Sequence, residues 1–487
     1  MSLLPANLWI GGERRSSSTG KTFDVINSVT QQVVTRAPAA SSQDVIAAIE
    51  AAYKAQPAWE AVPWRAKRDL FIRASELLKT KYVQRVIDVT AAEVGALENW
   101  AKGDTFGAAS YFLEAAMQAT QLTGETQPSA VAPGGTVLIE RRPFGTVFAI
   151  VPFNSPVLLT ARGIACALAC GNTVVLKSAE LSPASNEIIV EVLHEAGLPK
   201  GVLNLLHMAR EDAPKLVAEI IGHKAIRHVN FTGSDRVGRI LAGEAAKYLK
   251  PCVFELGGKA PVIVLNDANV KEAARFIVSI SMVHAGQVCM STERVIVQSG
   301  VSKELIEAVT SLARNIRVAT DSGNHIPALT SKEFVPKVLS LLQDAKDRGG
   351  EVLVGDLTAH GAHLKPHIIL GVEPGWPLWE QESFGPVFVI KVVETEEEAV
   401  KMANETDYSL TAAIWTGNMA KGLTLARQIR SGYVQVNGPT FNREPGIQIR
   451  GLGGATGYGL FDVEHFTQKR ILILNPDGIT PPFLADL

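Results

Sequence analysis

Cysteine is scarce in this chain of 487 residues. There are four, Cys166, Cys170, Cys252 and Cys289, without the paired spacing of a disulfide framework. That usage points to a reducing compartment, and a cytoplasmic protein is expected. Charge of one sign is also lacking. Lys and Arg number 47 against 49 Asp and Glu, for a net charge of −2. With no clustered basic block, neither nucleic acid nor an acidic membrane surface is an expected partner. Apolar runs are broken by Pro, Asn, Arg or Gly well short of a bilayer's thickness. The opening Met1-Ser2-Leu3-Leu4-Pro5-Ala6 has neither the charged nor the apolar region of a signal peptide. At 46% hydrophobic and 20% charged residues the composition excludes a disordered chain. Its length exceeds what one core organises, so two or three domains are expected.

What is present is a change of texture along the chain. Residues 8–35 read as strands, with a hairpin signal at Gly11-Gly12. From Ser41 to about Thr120 the pattern is helical. Ser42-Gln43-Asp44 supplies the first cap, and Val45, Ile46, Ile49, Ala52 and Tyr53 share a face. Beyond Gly145, continuous apolar runs at 147–151, 173–176, 202–206 and 226–231 alternate with helical segments. That alternation marks successive βαβ units and a parallel sheet covered on both faces, a doubly wound α/β fold of the nucleotide-binding type. A second α/β block follows, with strand-like runs at 262–265, 295–298, 387–393, 412–415 and 433–436 and helices such as 335–346 and 421–429. Residues 128–142 and 469–487 fit neither block. They read as exposed β edges, either an oligomerisation element or a ribbon packed on its own domain.

The chemistry-bearing stretches are short. Cys289 sits between Val288 and Met290 after Gly286-Gln287, and Glu255-Leu256-Gly257-Gly258-Lys259 lies upstream. A thiol, a carboxylate and a gap without side chains suit a nucleophile, a base and a flat ligand, although a lone cysteine is often core filler. Gly233 and Ser234 follow a strand and open a helix, an arrangement that binds anions but also occurs as an empty turn. Lys177 and Glu180 end a parallel strand. A carboxylate there accepts ribose hydroxyls and repels a 2′-phosphate, which favours NAD over NADP; the alternative is a surface ion pair. Pro152-Phe153-Asn154 ends the first strand of that sheet. Asn154 is either an amide donor to an oxyanion or a helix cap, with Leu158 and Arg162 on the same helical face. Glu382 and Phe384 are placed to hold a second ribose and flank a flat ring. His360, His363 and His367 are interrupted by Gly361, Leu364 and Pro366, so no metal is expected. Cys166 and Cys170 read as small core residues.

In combination, Pro152-Phe153-Asn154, Lys177 to Glu180, Phe231-Thr232-Gly233-Ser234, Glu255 to Lys259, Gly286-Gln287-Val288-Cys289 and Glu382-Ser383-Phe384-Gly385-Pro386 resemble the NAD(P)-dependent aldehyde dehydrogenase superfamily. Cys289-Met290-Ser291-Thr292-Glu293-Arg294 is similar to its aromatic-aldehyde branch, the salicylaldehyde, benzaldehyde and vanillin dehydrogenases. The resemblance runs from about Ile10 to about Asn475. It implies that thiolate Cys289 attacks the aldehyde and that Asn154, with the Cys289 N–H, holds the oxyanion. Hydride then passes to the nicotinamide, and Glu255 activates water to release the acid. It implies cofactor contacts from Pro152, Phe153, Lys177, Glu180, Gly233, Ser234, Leu256, Gly257, Glu382 and Phe384, and a pocket walled by Trp100, Leu158, Arg162, Val288 and Met290. The expected division is a NAD-binding domain of residues 1–126 and 146–255 and a catalytic domain of 256–460. An oligomerisation element of 127–145 and 461–487 would make a homodimer or homotetramer. An aliphatic or semialdehyde dehydrogenase, a catalytically idle NAD-binding member and a plain thiol esterase are the other readings.

Three stretches depart from the pattern. They are Val318-Ala319-Thr320-Asp321 with Ile326-Pro327-Ala328, then Gly453-Gly454-Ala455-Thr456-Gly457-Tyr458-Gly459 without the usual lysine, and a short 461–466. None is expected to touch the nucleophile or base.

Overall fold

A computed structural model describes residues 3–318, 325–441, 444, 446–448 and 450–477. Ala319, Thr320 and Asp321, and residues 478–487 of the expected oligomerisation element, lie outside the described residues.

The apolar runs after Gly145 become strands because side chains alternate between two covered faces. Val147, Ala149, Val174 and Leu176 pack against Val157, Ala161, Ile164 and Leu168 of the helix Pro156–Ala169. Phe148, Ile150 and Val175 pack on the other face against Val45, Ala48, Ile49 and Ala52 of the helix Ser42–Glu60. The strands lie in the order Glu13–Arg15, Leu8–Ile10, Leu203–Leu206, Thr173–Lys177, Thr146–Ile150, Ile226–Thr232, Cys252–Glu255, Gly457–Tyr458. The run from Leu203–Leu206 to Cys252–Glu255 is parallel, and the strands outside it pair antiparallel. Chain order reverses at Thr146–Ile150. A crevice therefore opens at the carboxyl ends of Thr146–Ile150 and Ile226–Thr232, where open α/β sheets bind ligands.

The second sheet has the order Glu351–Val354, His367–Leu370, Val387–Val393, Thr292–Gln298, Ala260–Val264, Thr411–Trp415, Tyr433–Val436, parallel except at its first strand. A third, antiparallel sheet joins Thr467–Leu474, Thr136–Pro143 and Glu125–Pro128, with Thr467 opposite Pro143 and Leu474 opposite Thr136. Ile471, Ile473 and Leu474 are exposed on it. Among the described residues no helix is long and apolar enough to cross a membrane.

Several local expectations are corrected. The first helix is capped by Ser41, not Ser42: its hydroxyl accepts from Gln43 N and Asp44 N, and the Asp44 carboxylate accepts from Ser41 N. Ile46 and Tyr53 are exposed because that helix buries a narrower stripe than the apolar pattern suggests. The helix expected over 421–429 is Met419–Ala426, started earlier by Asn418, which accepts from Lys421 N. Sequence patterning also gave no sign that Gly457–Tyr458 returns from the second block to the edge of the first sheet, beside Glu255.

Candidate active site

Cys289 and Glu255 come from different sheets and meet where the chain crosses between them. Glu255 ends the strand Cys252–Glu255, and Cys289 precedes the strand Thr292–Gln298. The Cys289 Sγ lies 3.9 Å from Glu255 Oε1. The backbone before the cysteine is unusual: His284, Ala285 and Gly286 all have positive φ, at 49°, 56° and 71°. For two of them that conformation is strained, and such strain clusters at working sites. A side chain at Gly286 would strike the Gly385 carbonyl 2.0 Å away, and one at Gly258 would strike the Cys289 carbonyl at the same distance. The Cys289 backbone thus packs directly on Gly258, and Gly286 packs on Gly385 and Pro386.

Arg162 reaches the same point from the helix Pro156–Ala169. Its Nη1 pairs with Glu255 Oε2, Nη2 donates to Thr232 Oγ1 at 2.9 Å, and the guanidinium lies 4.9 Å from the Phe461 ring centre. Arg162 is therefore buried and paired. Burial raises the Glu255 carboxyl above its ordinary range, and Arg162 pulls it back down. Burial also pushes the Cys289 thiol up, and the Glu255 charge adds to that shift. The resting sulfur is held as a thiol beside the Glu255 carboxylate.

Asn154 is not a helix cap. Its Nδ2 donates to Gln287 O at 2.8 Å, and Trp100 Nε1 donates to the Asn154 carbonyl at 2.9 Å. The helix start is held instead by Asp104, which accepts from Val157 N (3.1 Å), Leu158 N (2.9 Å) and Ser155 Oγ (2.6 Å). Burial raises the Asp104 carboxyl to about 6. Sequence reasoning missed this residue. Its one signal was an acid among the small residues Ala101, Thr105 and Ala108 on a helix face.

The crevice side collects the other candidates. Lys177 is buried, its Nζ donating to Ser178 O at 2.9 Å, so it is not half of a surface ion pair; Glu180 is partly exposed beside it. Ser234 caps the helix Asp235–Ala246, accepting from Val237 N, and Gly233 N donates to Glu255 O at 3.1 Å. Leu256 N donates to Thr456 O at 2.9 Å. Beyond Pro152, the Phe153 ring stacks on Phe334 at 5.4 Å and meets Phe384 edge-on at 6.1 Å. Glu382 Oε1 accepts from Gly258 N at 2.9 Å, and a side chain at Gly257 would lie 2.7 Å from Glu382 Oε2. Burial, then the Glu293 carboxylate, raises Glu382 to about 7. Glu293 itself pairs with buried Lys259 and accepts from Ser383 N at 3.1 and 3.0 Å, while Lys337 Nζ donates to Glu382 O at 2.8 Å. A helix N-terminus at the sheet's reversal point and a gap with no room for a Cβ fit a dinucleotide.

A model of the aldehyde dehydrogenase family matches residues 15–471. The chain belongs to that family. It is 38% identical over 478 residues to a vanillin dehydrogenase of Pseudomonas fluorescens, covering 97% of this chain and 98% of that one. It is 37% identical over 484 residues to a salicylaldehyde dehydrogenase of Pseudomonas putida, covering 98% of each. Among solved structures, a salicylaldehyde dehydrogenase from Pseudomonas putida G7 complexed with salicylaldehyde has a TM-score of 0.94 at 35% identity, covering 98% of this chain and 99% of that one. As an aldehyde dehydrogenase, the enzyme uses a nicotinamide cofactor and oxidises aldehydes to acids.

In this aldehyde dehydrogenase Val288, Met290 and Leu410 form a buried apolar cluster, with Trp100 and Cys289 packed against it. Trp100 stacks on His284 at 4.9 Å and lies 5.8 Å from Phe441. Leu158 is partly buried against Gly107. One expectation fails here: the departing C-terminal stretches do touch the site. Gly457 pairs with Glu255 in the first sheet, and Phe461 covers Arg162. Strand pairing across some 200 residues leaves no local sequence mark. His360 and His363 face each other in a small hairpin, and His367 is tied to backbone on both ring nitrogens, to Lys365 O and Leu357 N. Cys166 and Cys170 are buried in the core.

Proposed function

We propose that this enzyme oxidises aromatic aldehydes to carboxylic acids with NAD. The contact of Cys289 Sγ with Glu255 Oε1 at 3.9 Å carries the mechanism. Cys289, its proton released to solvent, attacks the carbonyl carbon as thiolate. The remaining amide hydrogen of Asn154 and the Cys289 N–H steady the oxyanion. Nicotinamide, when bound, would supply the two-electron acceptor for this oxidation, and Cys289 would carry the acyl group as its thioester. Glu255 takes a proton from water, which attacks the thioester and releases the acid. Lys177, Glu180, Gly233, Ser234 and Leu256 would hold the adenosine and pyrophosphate, and Glu382 the second ribose. Pro152, Phe153, Phe384 and Gly257 would bound the nicotinamide. Residues 1–126 and 146–255 serve as the cofactor domain and 256–460 as the catalytic domain. Residues 127–145 and 461–487 serve as the element of a homodimer or homotetramer, set in the cytoplasm in keeping with its unpaired cysteines.

The aromatic substrate class is supported by the named substrates of the similar proteins and by the apolar wall of Trp100, Val288, Met290 and Leu410. NAD is supported by Glu180, whose carboxylate would repel a 2′-phosphate. The test is a panel of benzaldehyde-type and aliphatic aldehydes scored by kcat/KM with NAD and with NADP. Aromatic aldehydes with NAD should lead, Glu180→Gln should raise relative use of NADP, and Cys289→Ala should abolish turnover. Undiminished turnover in Cys289→Ala would end the nucleophile assignment.

A further inference from the structure

Glu255 has two oxygens with different duties. Oε2 pairs with Arg162 Nη1, while Oε1 faces the Cys289 sulfur at 3.9 Å. Arg162 is held in that pose by three contacts. Its Nη2 is bonded to Thr232 at the end of the neighbouring strand, its plane is covered by Phe461, and the helix carrying it is pinned by Asp104. We infer that Arg162 is a positioning residue that holds Glu255 at the thiol and keeps it charged, so that one oxygen stays free for proton transfer.

This inference rests on the reading of Cys289 as nucleophile and Glu255 as base. Its physical basis is the cost of an isolated buried carboxylate, which takes up a proton rather than remain charged without a partner. The charged and titratable groups around it are few. Arg162 and Cys289 face Glu255 directly, Tyr111 on the helix Glu98–Ala119 faces Arg162, and Glu382 acts on Cys289. Arg162 is the cation that lowers Glu255, so its removal leaves the carboxyl protonated to higher pH. Thioester hydrolysis is then the step that suffers. There water forms a bond to the acyl carbon, its proton passes to Glu255, and the C–S bond breaks with Cys289 leaving as thiolate. A protonated Glu255 cannot accept that proton.

The experiment is stopped-flow NADH release and steady-state turnover across pH, on the full enzyme with NAD and benzaldehyde. Wild type is compared with Arg162→Met, Arg162→Lys and Glu255→Gln. Arg162→Met should keep a burst of NADH while steady-state kcat falls by about 100-fold, in the range removal of a general base produces. The acid limb of its kcat profile should move up by about 1–2 pH units, the size of effect an adjacent cation exerts on a carboxylate. Arg162→Lys, which keeps the charge, should bring the limb most of the way back and covers the case of a poorly folding Met variant. A slower enzyme whose acid limb stays in place in both variants, or loss of the burst itself, would overturn the inference. Full steady-state turnover in Glu255→Gln would instead sink the base assignment beneath it, whatever the Arg162 variants do.

Discussion

Asn154 donates its side-chain amide to the carbonyl of Gln287 at 2.8 Å, tying the end of the first sheet's Thr146–Ile150 strand to the loop that carries Cys289. One amide hydrogen is spent on that tie, and the other is left for the proposed oxyanion. Asn154→Ala should therefore lose both loop registration and an oxyanion donor. The expected fall in kcat/KM is about 10²–10³-fold, the usual effect of deleting such a donor. NAD affinity, measured by fluorescence titration, should stay close to wild type. Wild-type kcat/KM in this variant would remove Asn154 from the mechanism.

Glu293 bridges Lys259 to the backbone of Ser383, and all three are almost fully buried. Glu293→Gln would leave a buried ammonium without its counter-charge, a loss of about 3–5 kcal/mol for broken pairs of this kind. Chemical denaturation should register the drop. NAD should also bind more weakly, because Ser383 adjoins Glu382. Replacing both partners, Lys259→Met with Glu293→Met, should recover part of the stability but not the cofactor affinity.

Cofactor binding should depend on pH through Glu382. Burial and Glu293 raise this carboxyl to about 7, so it gains a proton as pH falls through that value. The neutral form is the poorer acceptor for ribose hydroxyls. The Kd for NAD should accordingly rise between pH 8 and pH 6, and Glu382→Gln should flatten the profile at the weaker level. A profile equally steep in that variant would assign the titration to another group.

The three-stranded ribbon leaves Ile471, Ile473 and Leu474 in water. Apolar side chains grouped on a β edge are what a partner chain covers. Ile471→Asp combined with Ile473→Asp should convert the proposed oligomer to a smaller species in analytical ultracentrifugation while circular dichroism stays unchanged. A wild-type monomer at micromolar concentration would refute the oligomerisation role.

Much of the first sheet was readable from sequence because each strand is a local apolar run and the crossovers follow a general rule. Cys289, Glu255 and Glu382 stood out for a related reason: each lies within a few residues of glycine, where a side chain has been excluded. Relationships between distant elements were not readable. The pairing of Arg162 with Glu255 depends on how the helix Pro156–Ala169 seats against the strand Cys252–Glu255. The capping by Asp104 depends on two helices meeting at right places along their lengths. The bridge from Lys259 to Glu293 left a faint mark, charged residues at the edges of strands otherwise apolar, but a mark of that kind names no partner. The sequence leaves two roles open for Asn154, and its contacts with Gln287 and Trp100 exclude the cap.

The antiparallel pairing of Gly457 with Glu255 has a consequence for how the chain is made. The edge of the first sheet stays open on the ribosome until residues near 457 emerge, some 200 positions after the strand they cover. The early half can assemble its parallel strands, yet the strand that carries Glu255 waits for its last neighbour. Removing the polypeptide beyond the second sheet would then take away more than a tail: it would uncover the flank of Glu255. A released N-terminal fragment would have an unfinished edge exposed to other chains.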